Sequence, residues 1–456
     1  MADFAIRGRR VFADGALAPR SLHVYDEAIT AVAGFDELPD GIAVVDAGDA
    51  IVMPGLVDTH VHVNEPGRTP WEGYDTATRA AAAGGVTTLV DMPLNSIPPT
   101  TSRDGLRQKR DAATDQCWVD VGFWGGVVPG NAAELEPLAR GGVLGYKCFL
   151  VESGVDEFPH VVEKDLRIAL PRLRDLARPL LVHAELPGPI ARAEAAARAG
   201  DPRRYSTYLS SRPREAEDAA IDLLIRLSRI TGAAVHIVHH ASADAIELLA
   251  RARDEGLPIT AETCPHYLHF AAEDIPDGAT QFKCAPPIRE AENRERLWDA
   301  LDRRVLDMVV SDHSPCTPDL KCFDAGSFTE AWGGIASLQL GLPAMWSELR
   351  ARGTGAADDA AIGRLVEWMC AAPARLAGLA GRKGIFAAGA DADVVIWDPD
   401  LVFTVRAADL AHRNPVTPYD GETLRGAVLT TYVRGYKVYD RGRYAAAPAG
   451  ALLTAP

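Results

Sequence analysis

Gly55-Leu56-Val57-Asp58-Thr59-His60-Val61-His62 is an apolar run that ends in two histidines one residue apart. In an extended strand successive side chains alternate faces, so His60 and His62 point one way and Val61 the other. Two imidazoles on one face at a strand end can grip a divalent cation, although a half-buried strand can also carry such a pair by chance. The rest of the chain decides between the two readings.

The same texture recurs downstream. Apolar strand candidates fall at 56–62, 86–92, 119–127, 143–150, 180–183, 233–239, 258–263 and 307–311. Helical patterns at 74–83, 165–177, 214–231, 243–255 and 289–303 lie between them. Strand–helix alternation implies an α/β fold with a parallel sheet, and eight repeats over about 320 residues point to a closed (β/α)8 TIM barrel at 53–380. An open doubly wound sheet is the alternative, weakened because no Gly-x-Gly-x-x-Gly follows an early strand. Residues 1–52 read as short strands broken by Gly and Asp, and 381–456 return to strands after a helical segment at 362–379. The two ends are therefore expected to assemble one small β-sandwich, with the Ala-rich finish at 445–456 mobile.

Composition narrows the function. The 456 residues are 47% hydrophobic and 24% charged, as in ordinary globular proteins. No apolar run approaches the roughly 18 residues of a membrane span, and the first residues lack the apolar core of a secretory signal. A cytoplasmic protein is the expectation. A net charge of −16 argues against nucleic-acid or anionic-membrane partners and leaves a small neutral substrate open. Seven cysteines without a Cys-x-x-Cys suggest buried thiols rather than a disulfide framework or zinc knuckle.

In a parallel barrel the working face is the C-terminal end of the strands. Strand one ends in His60 and His62, strand four carries Lys147, and strand five ends in His183. Strand six reaches His239 with His240 beside it, and strand eight ends in Ser311-Asp312-His313-Ser314. Singly, each has an ordinary explanation: a hydrogen-bonded rim histidine, a snorkelling lysine, an aspartate capping a helix. Together, at one end of one barrel, they point to a metal site. Burial inside an apolar strand would depress the Lys147 pKa, and a neutral amine can add CO2. The resulting carbamate is an anionic two-oxygen ligand able to bridge two metals. Zinc suits the imidazole and carboxylate set best, with manganese, cobalt and nickel as alternatives. Two divalent ions roughly 3.5–4 Å apart would hold a bridging hydroxide. Asp312 would ligate one ion, accept a proton and pass it to a leaving nitrogen. Of His239 and His240, alternation lets only one face inward, with His236 on the side of His240. His313 is expected to orient its loop, and His266 on loop seven is a lesser candidate for a supporting or substrate role.

These residues resemble the cyclic-amidohydrolase branch of the amidohydrolase superfamily: dihydroorotases, hydantoinases (dihydropyrimidinases) and allantoinases. The resemblance covers essentially the whole chain. It implies a metal-dependent (β/α)8 barrel with a small β-sandwich, hydrolysis of ring amides or ureides at a binuclear centre, and a homotetramer. Pro54-Gly-Leu-Val-Asp-Thr-His-Val-His resembles the family's first signature, and Lys147 its carboxylated lysine. His183, His239 and Asp312 match the remaining ligands. Within the branch the sequence is most similar to the allantoinases, through Asn64-Glu-Pro-Gly-Arg-Thr-Pro-Trp-Glu-Gly-Tyr, Glu262-Thr-Cys-Pro-His-Tyr, Lys283-Cys-Ala-Pro-Pro-Ile-Arg and Ala331-Trp-Gly-Gly-Ile-Ala-Ser-Leu-Gln.

Two positions discriminate within the branch. Dihydroorotases resemble the first signature but place an arginine where Asn64 stands, to pair with a substrate carboxylate. Hydantoinases carry a tyrosine shortly after the modified lysine, where this chain has Phe149-Leu-Val-Glu-Ser-Gly. The resemblance thus implies opening of the hydantoin ring of allantoin to give allantoate, with a hydantoinase or dihydroorotase-like hydrolase as the rival. A metal-free scaffold would have lost ligands, and all six are present. Asn64, Asn95, Ser153, Gly333 and Gly334 are candidates for holding the polar cyclic ureide, with Asn95 equally readable as a turn residue.

Overall fold

The computed structural model describes residues 3–353, 355 and 358–455. The chain begins with β1 (Phe4–Ala13), β2 (Ala16–Tyr25), β3 (Ala28–Gly34), β4 (Ala43–Asp46) and β5 (Ile51–Pro54). The barrel strands follow as β6 (Leu56–Val61), β7 (Val86–Asp91), β8 (Asp120–Phe123), β9 (Gly125–Gly126) and β10 (Tyr146–Phe149). They continue as β11 (Leu180–His183), β12 (Val235–Ile237), β13 (Ile259–Thr263) and β14 (Met308–Val309). The tail supplies β15 (Val394–Thr404), β16 (Thr423–Val433), β17 (Tyr436–Asp440) and β18 (Arg443–Tyr444).

Parallel pairing runs through β6–β7–β8 and through β9 to β14. β8 and β9 are one strand interrupted at Trp124, whose N–H donates to Asp91 O at 3.0 Å. The seam between β14 and β6 is closed by His313 N to His60 O at 3.2 Å and His62 N to His313 O at 2.8 Å. Each of the eight strand candidates therefore holds a place in a closed barrel. Strands such as β6, β7 and β11 are buried at every residue, which is why they read as unbroken apolar runs rather than alternating ones. Helices Tyr74–Ala83 and Arg214–Thr231 occupy the spans their periodicity predicts.

Head and tail strands join in one nine-stranded sheet, β18-β17-β16-β15-β5-β1-β2-β3, with β4 beside β1. Alternation sorts its side chains between two cores. Ile51, Met53, Val395 and Trp397 face the barrel core, while Val52, Val394 and Ile396 share a second core with Ile6, Leu22 and Ile29. β5 passes into β6 through Gly55, where a Cβ would lie 2.2 Å from Thr87 Oγ1; only glycine allows this crossing.

The chain end departs from expectation. Val121 N donates to Ala451 O at 2.9 Å and Leu453 N to Val121 O at 2.8 Å, so the end pairs with β8 instead of lying free. Leu453 is buried against Trp124 and Leu144, an apolar contact that composition alone does not reveal. Among the described residues no helix is long and apolar enough to cross a membrane.

Candidate metal centre and cavity

The strand ends bring the expected ligands together. His60 Nε2 lies 3.1 Å from Asp312 Oδ1, and His62 Nε2 lies 3.8 Å from the same oxygen. One ligand atom from each of the three fits within 4.8 Å of the others. The His60 ring is 5.3 Å from that of His239, which is 4.6 Å from that of His183. His239 and Asp312 hold φ at 38° and 45°, strained values for non-glycine residues of the kind that accumulate at functional sites. His240 is buried off the cavity; the structure turns His239 inward.

Lys147, in the middle of β10, is fully buried, and its Nζ has no hydrogen-bond partner among the described residues. Burial lowers its pKa to about 8, against the opposing pull of Glu262 and Asp312. Burial likewise holds His60 down to about 4 and pushes the Asp312 carboxyl well above the usual range. Clustered neutral imidazoles, a carboxyl group and an orphaned amine form a donor set that fits divalent cations, with the amine fitting once it carries an anionic group.

Buried carboxylates orient these ligands. Glu262 accepts from His60 Nδ1 with one oxygen and from His236 Nε2 at 2.9 Å with the other. That leaves His60 Nε2 free to ligate. Glu185 meets His183 Nε2 at 2.7 Å and Arg212 Nη2 at 2.5 Å. Asp58 accepts from His60 N and Ser311 N, both at 3.1 Å, and so fastens the seam beside the site. His313 behaves as the loop-orienting residue its position suggests. Its Nδ1 accepts from Ser337 N at 3.1 Å and Leu338 N at 3.3 Å, and its Nε2 reaches Glu72 at 3.2 Å. Sequence reasoning assigned Glu185 and Glu262 no role. Their signal was an acidic residue within or just past an apolar barrel strand, which is costly unless paired.

Five of the expected ligands, His60, His62, His183, His239 and Asp312, line a cavity of about 780 Å³; Lys147 is buried and is not part of its lining. Asn95, Ser153, Gly333 and Gly334 also line it. Asn95 Nδ2 lies 3.5 Å from His62 Nδ1. The Ser153 hydroxyl donates to Phe158 O at 2.7 Å, and Gly334 N donates to Lys283 O at 2.8 Å, so both donors are already engaged. Asn64 does not line the cavity. It occupies a left-handed turn at φ 67°, and its Nδ2 donates to Pro315 O at 3.3 Å. His266 is also off the cavity, fully buried with neither ring nitrogen hydrogen-bonded among the described residues.

The sequence profile of the Amidohydrolase family matches residues 51–438. The chain belongs to this family. The allantoinase of Streptomyces avermitilis is 50% identical, covering 99% of this chain and 98% of its own. That of Saccharomyces cerevisiae is 49% identical over 85% of this chain and 82% of its own. Among solved structures, the L-hydantoinase (dihydropyrimidinase) of Arthrobacter aurescens superposes with a TM-score of 0.93 at 29% identity, covering all of both chains. The dihydropyrimidinase of Brevibacillus agri gives 0.89 at 27% identity, covering 99% of this chain and 98% of that one. This amidohydrolase is thus a hydrolase acting on cyclic amides.

Proposed function

We propose that this amidohydrolase is an allantoinase, opening the hydantoin ring of allantoin to allantoate. The observation that carries the choice of ring is the 50% identity to the Streptomyces avermitilis allantoinase over 99% of the chain. A hydantoinase is the second reading, favoured by the 0.93 TM-score to the Arthrobacter aurescens enzyme. Against it, the run Phe149–Gly154 carries no tyrosine, and the Ser153 hydroxyl that could replace one donates to a backbone carbonyl.

In this reading His60, His62, Lys147, His183, His239 and Asp312 hold two divalent ions, zinc first among the candidates, with manganese, cobalt or nickel as alternatives. Lys147 Nζ adds CO2 and loses a proton to become a carbamate, which gives the buried, unpartnered amine an anionic ligand function. When bound, the ions supply Lewis acidity and lower the pKa of water. The attacking water gives a proton to Asp312 as its oxygen adds to the ring carbonyl. The ring C–N bond then breaks, Asp312 hands that proton to the departing nitrogen, and the carboxylic acid formed releases its remaining proton to solvent as a carboxylate. Glu262 and Glu185 fix the ring orientation of His60 and His183 throughout. Asn95 and the 333–334 backbone line the space for the ring. We place the enzyme in the cytoplasm and, on the family resemblance, as a homotetramer.

The test is turnover of allantoin, hydantoin, dihydrouracil and dihydroorotate by metal-supplemented protein, with allantoate followed directly. Preferential release of allantoate is expected. Preference for another ring would keep the hydrolase and remove the allantoinase assignment.

A further inference from the structure

Residues 329–334 form part of the cavity wall, and two lysines take up their carbonyls. Lys321, only 2% exposed, donates to Gly334 O at 2.6 Å and to Trp332 O at 3.0 Å. Lys283 donates to Ala331 O at 2.5 Å and Thr329 O at 3.4 Å. Among the described residues neither ammonium pairs with a carboxylate; their nearest partners are these carbonyls. The main chain is tied at the same places, with Trp332 N on Leu320 O at 2.7 Å and Gly334 N on Lys283 O at 2.8 Å. Gly334 has φ 140°, and a Cβ there would lie 2.2 Å from Ser314 O, so the strap is pressed onto the segment just after Asp312. Burying an ammonium without a counter-charge is costly, and here the charge is committed to two carbonyls of one short strap.

A trans peptide holds its C=O antiparallel to the N–H that follows. With Trp332 C=O drawn to Lys321, the N–H of Gly333 points away from the lysine. It finds no protein acceptor among the described residues, and Gly333 lines the cavity. The space beside Gly333 is open, since a Cβ there would meet nothing nearer than 3.9 Å. We propose that Lys321 is a positioning residue that turns the Gly333 N–H into the cavity, where it donates to a carbonyl oxygen of the bound ring other than the one attacked. The allantoinase reading supplies the identity of that ring.

The test uses the full metal-replete chain. Lys321→Met keeps the length of the side chain and removes the charge. Glycolic acid in place of Gly333 turns the amide into an ester, which removes the N–H and also weakens the Trp332 carbonyl that Lys321 holds. Each change is expected to raise KM for allantoin about tenfold, the loss of one hydrogen bond, with kcat within about threefold of wild type. Combining them is expected to add nothing further, because both remove the same bond. Lys321→Gln, which keeps a donor near the Trp332 carbonyl, is expected to recover part of the affinity and serves also where the methionine variant does not fold. A folded Lys321 variant or ester with wild-type KM overturns the proposal, as do effects that multiply in the double variant. Wild-type turnover of all four rings is read alongside. A wild type that opens a different ring overturns the allantoinase reading alone, and the KM comparison is then made on that ring.

Discussion

The Glu262 carboxylate is clamped against His60 Nδ1 while its second oxygen holds His236 Nε2 at 2.9 Å, with all three side chains buried. This contact fixes which nitrogen of His60 carries its proton, and so which one faces Asp312 at 3.1 Å. Glu262→Gln retains the shape and removes the charge. The amide can still accept from one histidine but cannot anchor both as a carboxylate does. Metal affinity or kcat/KM is expected to fall about 10–100-fold, the usual range for such orienting partners. Metal content after dialysis, measured beside the kinetics, checks it. Wild-type metal retention and activity would reduce Glu262 to a packing role.

In the proposed mechanism Lys147 ties activity to CO2. With its pKa lowered by burial to about 8, the amine is mostly protonated at pH 6.5 and mostly neutral at pH 9. Only the neutral amine adds CO2. Protein stripped by a chelator is expected to lose turnover and to regain it when divalent metal is returned, faster with bicarbonate and faster at the higher pH. Lys147→Ala is expected to remain inactive under every such condition. Recovery that ignores both bicarbonate and pH would remove the carbamate from the mechanism.

Much of this centre was legible because barrel geometry converts sequence position into spatial position. His60 and His62 share a face by strand alternation, and His183, His239 and Asp312 follow at strand ends on the same side of one barrel. The clamp on His60 was not legible, since Glu262 lies 202 residues away and pairing depends on which barrel strands become neighbours. The Lys321 strap was equally hidden, because a lysine bound to carbonyls leaves no acidic partner in the sequence to look for. The pairing of 450–455 with β8 was missed for a related reason. Backbone hydrogen bonds, the Asp120 carboxylate on Ala451 N at 2.7 Å and two leucines hold it, and an Ala-rich segment announces none of these.

Asn64 and Asn95 looked alike in sequence, and the structure separates them. Asn64 lies off the cavity at φ 67° with its amide on Pro315 O, whereas Asn95 lines the cavity beside His62. Asn64→Ala loses a buried hydrogen bond and places alanine in a left-handed turn, so it is expected to cost about 1–3 kcal/mol of stability. Asn95→Ala, which is also in a left-handed turn at φ 66°, is expected in addition to raise KM for allantoin about tenfold. Thermal unfolding and steady-state kinetics on both variants separate the roles. A larger KM effect from Asn64 than from Asn95 would return Asn64 to the substrate.

His269 latches the barrel to the nine-stranded sheet and makes the latch sensitive to pH. Its Nδ1 lies 2.7 Å from Glu348 in helix Gly341–Ala351, and its Nε2 lies 3.7 Å from Glu422 just before β16. Burial alone would lower its pKa, but the two carboxylates outweigh it and raise the value from 6.5 to about 9. The folded protein therefore binds this proton more tightly than the unfolded chain does. The resulting stabilisation, at most about 3 kcal/mol, is fully present below pH 6.5 and lost as pH rises through 9. In His269→Gln that component is absent at every pH. The difference in unfolding free energy between wild type and variant is thus expected to be largest near pH 6 and to shrink steadily toward pH 9.5. Denaturant unfolding of both proteins across that range measures it, and a difference that stays constant with pH would show that the ion pairs do not set the strength of the latch.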